Sequence, residues 1–383
     1  MNGNHQGAKT ALIVAVLIGV ATFFVALTHG LSERAWEAFL VNFLFFMFIA
    51  QGGVVVSASF YLTHARWGGA AMYRLAEAFA GYLPIAFVLF WVLYGGRHAL
   101  WVWVDHPLPD KAAWLNVPFF FTRDGLGILL MCLLSLVFVR VSRREEVRAW
   151  AENSANIEHP PSAVRRLALV LAGAYAVVYT MLAFDLIMSM APRWHSTLFG
   201  AWIFATAYWS ALVTIALLTI ITQRQLGSDE REAHLGVMHD IGKMVFAFSV
   251  FWVYLLFSQY IVIWYGDIPS ETFFVVPRVQ LLPWGALGWA TLLLMWVIPF
   301  CVLMGQRSKR TPAVLGTVSV LGLIGVWIDL YLLVVPSVSP RHIPFGWVEV
   351  LITVGFFGLF GLAAISGLRR VSPPMRPASW EGA

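Results

Sequence analysis

Charge is scarce in this chain: 12% of its 383 residues are charged against 60% hydrophobic. That is too few polar side chains to cover a soluble globule of this size, which excludes a water-soluble protein and indicates an integral membrane one. Cysteine is nearly absent. Cys132 and Cys301 both fall in apolar runs, and no CxxC, CxxCH or ferredoxin-type spacing occurs, so no iron–sulfur cluster and no covalently attached haem is expected on this chain. Histidine is missing from the middle of every apolar run. His5, His98, His106, His159, His195, His234 and His342 fall in loops or tails, and His29, His64 and His239 at helix ends, which argues against an intramembrane haem clamped between facing helices. No HxxxH or HxxE spacing supports a metal site. A net charge of +5 is carried by Arg in short loops, where it sets membrane orientation and does not signal nucleic acid.

What is present is a series of ten apolar runs of roughly 20 residues or more, at 9–28, 38–62, 74–94, 118–141, 165–190, 196–222, 239–265, 280–304, 312–335 and 345–368. The first has one Lys before it, as a signal peptide would, but it is as long as a spanning helix and lacks a small-residue cleavage site. The segment 97–117, with Trp101 and Trp103 beside Asp105 and Pro107, reads as a strip lying at the membrane surface. Of the 25 Lys and Arg, 18 fall on one side of the alternating topology and 7 on the other. The positive-inside rule therefore places both termini in the cytoplasm and the loop after Gly266 outside. The basic segment 142–164 is the longest inner loop, and residues 1–383 form one polytopic domain.

Acidic residues carry the chemical signal, because a carboxyl in hydrocarbon is costly and faces a bundle interior, a cavity or a partner. In the outer part of the membrane lie Asp185 on helix five, Asp329 on helix nine and Glu349 at the start of helix ten, with Ser258, Gln259 and Tyr260 at similar depth on helix seven. Neither Asp185 nor Asp329 has a basic residue three or four positions away on its own helix. Near the inner side lie Glu77 on helix three and His239, Asp240 and Lys243 opening helix seven. Residues 240 to 258 span roughly 27 Å of helix, so helix seven touches both ends of a candidate proton path. Tyr254, Ser258, Ile261 and Tyr265 fall near one of its faces. Asp240 with Lys243 also reads as a structural ion pair, and Glu77 with Arg74 as a snorkelling pair. Most of the 18 Trp read as interface anchors or lipid-facing bulk.

Helix five ends FDLIMSMAPRWH (184–195) and helix nine ends IDLYLLVVPSVSPRH (328–342). Each carries Asp-Leu followed by Pro-Arg and His, four helices apart and so oriented alike, as a parallel duplication of a four-helix unit requires; chance likeness of two helix ends accounts for it equally well.

Two segments, DLIMSMAPRWHSTLFGAWIF (185–204) and HDIGKMVFAFSVFWVYLLFSQYIVIWYGDIPSET (239–272), resemble those of the NrfD-like (polysulfide reductase C-like) membrane subunits. The second is most similar to the ActF-type subunits of alternative complex III, a bacterial quinol:cytochrome c oxidoreductase. The resemblance implies an all-α fold of two four-helix bundles, helices 2–5 (38–190) and 6–9 (196–335), with two peripheral helices, in a bacterial inner membrane. It implies no redox centre on this chain, with haem c and iron–sulfur clusters in partner subunits and quinol as a candidate ligand. Partners would be a sister NrfD-like subunit carrying the quinol site, a periplasmic iron–sulfur protein, cytochromes c, small membrane subunits, lipids and a terminal oxidase. The expected role is structural support with a proton path built from Asp185, Asp329, Ser258 and Tyr260 outside and His239, Asp240, Lys243 and Glu77 inside. An alternative within the class makes this chain a quinone-binding subunit, with Asp185 accepting the proton and His195 nearby. A secondary transporter is the reading from another class; it requires helices broken symmetrically near the membrane middle.

Overall fold

The computed structural model describes residues 2–63, 65, 69–151, 161–223 and 228–369. His64, Arg370 and residues 152–160 of the basic segment lie outside the described residues, as do the side chains of His5, Arg148, His234 and Arg369. The described residues are helical with no strand. Ten helices are long and apolar enough to cross a membrane: Gln6–Thr28, Ser32–Leu62, Met72–Leu100, Val117–Glu145, Ser162–Met190, Phe199–Thr222, Leu235–Gly266, Trp284–Val302, Pro312–Val338 and Trp347–Leu368. We number these spans in chain order. An even number brings both chain ends to one face, called the terminal face below; the opposite one is the distal face.

Helices outrun the apolar runs wherever good helix formers continue them. The fourth continues to Ala151 through SRREEVRAW, so the basic segment 142–164 begins as helix, and the seventh starts at Ser228. Between the seventh and eighth spans the chain forms a short helix, Pro269–Val279, which takes up Glu271.

Spans two to five close a ring of neighbours, two against three, three against four, four against five and five against two. Spans six to nine close a second ring in the same order. The rings meet symmetrically: two packs on six, five packs on six, and nine packs on two. That is the arrangement expected of the duplication suggested by the Asp-Leu repeat. Spans one and ten pair with each other outside the rings, the tenth resting on the second and third.

The second span is the central post, and its most apolar stretch is entirely buried. In lipid, helices gain little from apolar contact alone, so small residues that admit close backbone approach carry the packing. A Cβ on Gly52 would lie 2.4 Å from the Ala207 carbonyl oxygen of the sixth span, and one on Gly53 would lie 2.7 Å from that of Ala76 on the third. Two adjacent glycines thus serve two different neighbours.

Tryptophan placement departs from the expectation of lipid-facing anchors. Trp101, Trp194, Trp209, Trp252 and Trp284 are fully buried, and several indoles bridge helices. Trp209 Nε1 donates to the Val245 carbonyl at 2.9 Å, Trp252 Nε1 to Thr206 Oγ1 at 3.0 Å and Trp327 Nε1 to Asn42 Oδ1 at 3.1 Å. The strip 97–117 is likewise no surface ribbon at its core. Trp101 and Trp103 turn inward onto Phe120, with centroids 5.1 and 5.2 Å apart. An indole has both a large apolar body and one N–H to satisfy, and an interhelical contact serves both.

Candidate functional site

Asp185 sits in a single wide turn, Ala183–Ile187, that interrupts the fifth helix before its last residues; such π turns concentrate at functional positions. The sequence left this carboxylate without a cation on its own helix. The structure supplies one from the fourth span: Arg123 Nη2 lies 2.7 Å from Asp185 Oδ2, and Nε donates to the same oxygen at 3.1 Å. Trp114 Nε1 donates to Oδ1 at 2.8 Å. The guanidinium lies over the Trp114 ring at 4.0 Å and the Phe119 ring at 4.6 Å, which fixes its orientation.

Beside this pair is a residue the sequence reading missed. Asp124 is wholly buried, lies against Asp185, and has Arg123 Nε 3.6 Å from its Oδ1. Neither of its oxygens accepts a hydrogen bond from the described residues. One guanidinium therefore faces two buried carboxyl groups. The adjacent Arg-Asp pair in FFFTRDGLG at the head of an apolar run was the signal available for it.

A second group of acids occupies the distal end of spans two, nine and ten. Arg34 holds Glu349 through Nε at 3.0 Å and Nη2 at 2.8 Å, and the Gly346 amide donates to the same carboxylate at 2.7 Å. Glu37, also missed, is buried and accepts from Ser339 Oγ at 3.0 Å. Asp329 is buried on the ninth span, and its Oδ2 has no hydrogen-bond partner among the described residues.

The expected outer cluster of Asp185, Asp329, Ser258 and Tyr260 is not assembled. Asp185 takes its partners from the fourth span and the chain before it, and Ser258 and Tyr260 make no side-chain hydrogen bond with the described residues. On the seventh span the Tyr254–Tyr265 face points away from the rings, with Tyr254 62% and Tyr265 86% exposed. The inward polar residue is Gln259, about 100° round the helix from Ser258, whose Oε1 accepts from Ser196 Oγ at 2.8 Å. Periodicity gives the shared face but not the side on which the neighbours stand.

The inner cluster divides as well. Asp240 and Lys243 form a partly exposed ion pair, 2.6 Å, on the seventh span, where His239 also lies. Glu77 belongs to the other ring. It is buried, accepts from Ser142 Oγ at 2.8 Å and Ser57 Oγ at 3.1 Å, and has Arg143 Nε at 3.5 Å.

Between the distal Asp124–Asp185 group and Glu77 the first ring holds further polar side chains. Gln51 Nε2 donates to Ser135 Oγ at 2.8 Å. Gln51, Met131 and Tyr179 help line an internal void of about 10 Å³, room for about one water. Asp124, Ser135 and Ser142 are all fully or nearly fully buried on the fourth span, and 18 residues of helix extend about 27 Å, close to the hydrocarbon thickness.

His195 is exposed in the loop after the fifth span, and both Asp185 oxygens accept hydrogen bonds from within the protein, from Trp114 and Arg123. No group of three metal-ligating side chains occurs among the described residues. No protein-family model and no curated protein sequence matches this chain.

Proposed function

We propose that this chain is a membrane subunit of a quinol-oxidising electron-transfer complex and that its own contribution is a proton path through the first four-helix ring. The observation that carries the reading is the ladder of buried polar groups on the fourth span. Asp124 with Asp185 stands at one end, Ser135 with Gln51 in the middle, and Ser142 with Glu77 at the other. Buried carboxyl groups inside membrane helices mark functional sites, proton relays among them. With one guanidinium for two carboxyl groups, the distal cluster balances its charge by holding one proton, and a proton on Asp124 also gives it a hydrogen to donate to Asp185. One water in the void, which Ile128, Met131 and Leu182 help line on the distal side of Gln51, shortens the gap between the distal cluster and Gln51.

This relocates the path from the seventh helix, whose polar face turns outward. That outward face supports membership of a complex. Tyr254 lies 12 residues from the distal end of its span, about 18 Å along the helix. A 62% exposed tyrosine at that depth, with the partly buried Ser258 one turn on, suits a covering helix from another subunit better than lipid, which offers a hydroxyl no partner. Resemblance of segments 185–204 and 239–272 to NrfD-like subunits supports the class of complex. A transporter is disfavoured because the two π turns among the described residues, Ala183–Ile187 and Leu293–Val297, fall in the fifth and eighth spans, which do not correspond between the rings.

Detergent extraction with a tag on this chain is expected to bring down haem-bearing subunits and a second polytopic protein; recovery of the chain alone would reject the complex. In reconstituted complex, Asp124→Asn and Glu77→Gln are each expected to abolish proton translocation per electron while leaving the subunit composition intact. Asp240→Asn, at the exposed pair, should leave it unchanged. Normal translocation in both buried variants would remove the proposed path, and loss in Asp329→Asn alone would move it to the second ring.

A further inference from the structure

Away from the polar ladder, the distal face opens into a cleft of about 470 Å³. Four stretches that are distant in sequence build it: 102–108 before the fourth span, 190–193 after the fifth, 273–278 in the short helix, and 336–340 at the end of the ninth. Its lining includes Arg193, His106 and Arg278 and not one carboxylate. Arg193 and His106 are exposed, while Arg278 is 7% exposed.

Arg278 is held with care and without a counter-charge. Its Nε donates to the Leu332 carbonyl at 3.0 Å and Nη1 to that of Phe274 at 2.8 Å. Nη2 donates to the Leu333 carbonyl at 3.3 Å and to Ser337 Oγ at 2.9 Å. The guanidinium lies 3.6 Å from the centroid of Phe274, whose ring stacks on Trp194 at 3.9 Å. All of these partners are neutral. Burial lowers the guanidinium pKa from its ordinary value, with no acidic residue acting against it, yet an arginine remains a cation at neutral pH. A buried cation with no anionic partner among the described residues is costly, and here it borders a cleft whose rim adds two more basic groups.

We propose that this cleft binds the phosphate headgroup of an anionic phospholipid from the distal leaflet. Three observations favour a lipid over a soluble anion. The cleft lies where the fifth and ninth spans end, at Met190 and Val338, which is headgroup depth. Phe273, Phe274, Pro277 and Pro336 give it a largely apolar wall for the glycerol and first acyl carbons. Phe273 is also 45% exposed, so that wall continues onto the outer surface of the short helix. Arg193 and His106 would meet the phosphate at the rim, and Arg278 would set the positive field beneath it.

The test uses the full chain in its complex, extracted and reconstituted into nanodiscs of phosphatidylcholine with or without phosphatidylglycerol. Native mass spectrometry or a competition assay with labelled lipid reads which headgroup is retained. Wild type is expected to retain phosphatidylglycerol in preference to phosphatidylcholine. Arg193→Ala should reduce that preference about fivefold, as loss of one interfacial basic charge does, and Arg193→Ala with His106→Ala should reduce it further. Both positions are exposed, so the variants should assemble normally. Inorganic phosphate at millimolar concentration should not displace the lipid. Equal retention of both headgroups, unchanged preference in the double variant, or full displacement by inorganic phosphate would each overturn the proposal. The last of these would indicate a soluble-anion site.

Discussion

Arg123→Leu is expected to destabilise the protein by about 3–5 kcal/mol, because removing one partner of a buried ion pair leaves the other charge uncompensated. The loss is more serious here than for a simple pair. Arg123 faces both Asp124 and Asp185, and its stacking on Trp114 and Phe119 fixes the chain that leads into the fourth span. The measurement is thermal unfolding in detergent, followed by size-exclusion chromatography. The triple variant Arg123→Leu, Asp124→Asn, Asp185→Asn should recover much of the loss, since amides carry no charge to desolvate. If the single variant unfolds at the wild-type temperature, the cluster does not hold the fourth and fifth spans together.

Gly52→Leu is expected to prevent the two rings from docking, with Gly52→Ala already costing about 1–3 kcal/mol as overpacking does in a close-packed interior. The reason is what a side chain would meet. A Cβ at this position lies 2.4 Å from the Ala207 carbonyl oxygen and 2.9 Å from the Ala211 Cβ. The first of these is helix backbone, which cannot swing aside as a flexible side chain can, so the sixth span must move as a body. Because spans two and six form the main contact between the rings, the cost falls on the whole assembly. Gly173→Ala serves as the control, since a Cβ there meets nothing within 4 Å. Yield of monodisperse protein and unfolding temperature report the outcome; equal behaviour of the two alanine variants would show that the rings do not rely on this approach.

Several features are legible in the sequence. The ten apolar runs match the ten spans because hydropathy is a local property, and a run of sufficient length has only one inexpensive way to cross hydrocarbon. The pairing of Asp240 with Lys243 was legible for the same reason: both groups lie on one helix, three residues apart. The Asp-Leu repeat places Asp185 and Asp329 on the fifth and ninth spans, which take equivalent places in the two rings.

Other features depend on which helices become neighbours. Asp185 looked unpartnered because its cation, Arg123, lies 62 residues earlier on another span. The sequence groups Glu77 with His239, Asp240 and Lys243 by depth, yet Ser57, Ser142 and Arg143 hold it within the first ring. Helical periodicity puts Tyr254 and Tyr265 on one face, and the side on which the neighbouring helices stand turns that face outward.

The sequence alone therefore determined the class of protein, the number of crossings and which residues share a helical face, all of which follow from composition and from a period of 3.6. The tertiary structure decided the partner of each buried charge, the line of polar groups through the first ring and the basic cleft on the distal face. Those depend on lateral packing between helices. That packing is directed by a few close approaches such as Gly52 against Ala207 and by interhelical hydrogen bonds, not by hydrophobicity, which is nearly the same on every side of a helix in lipid.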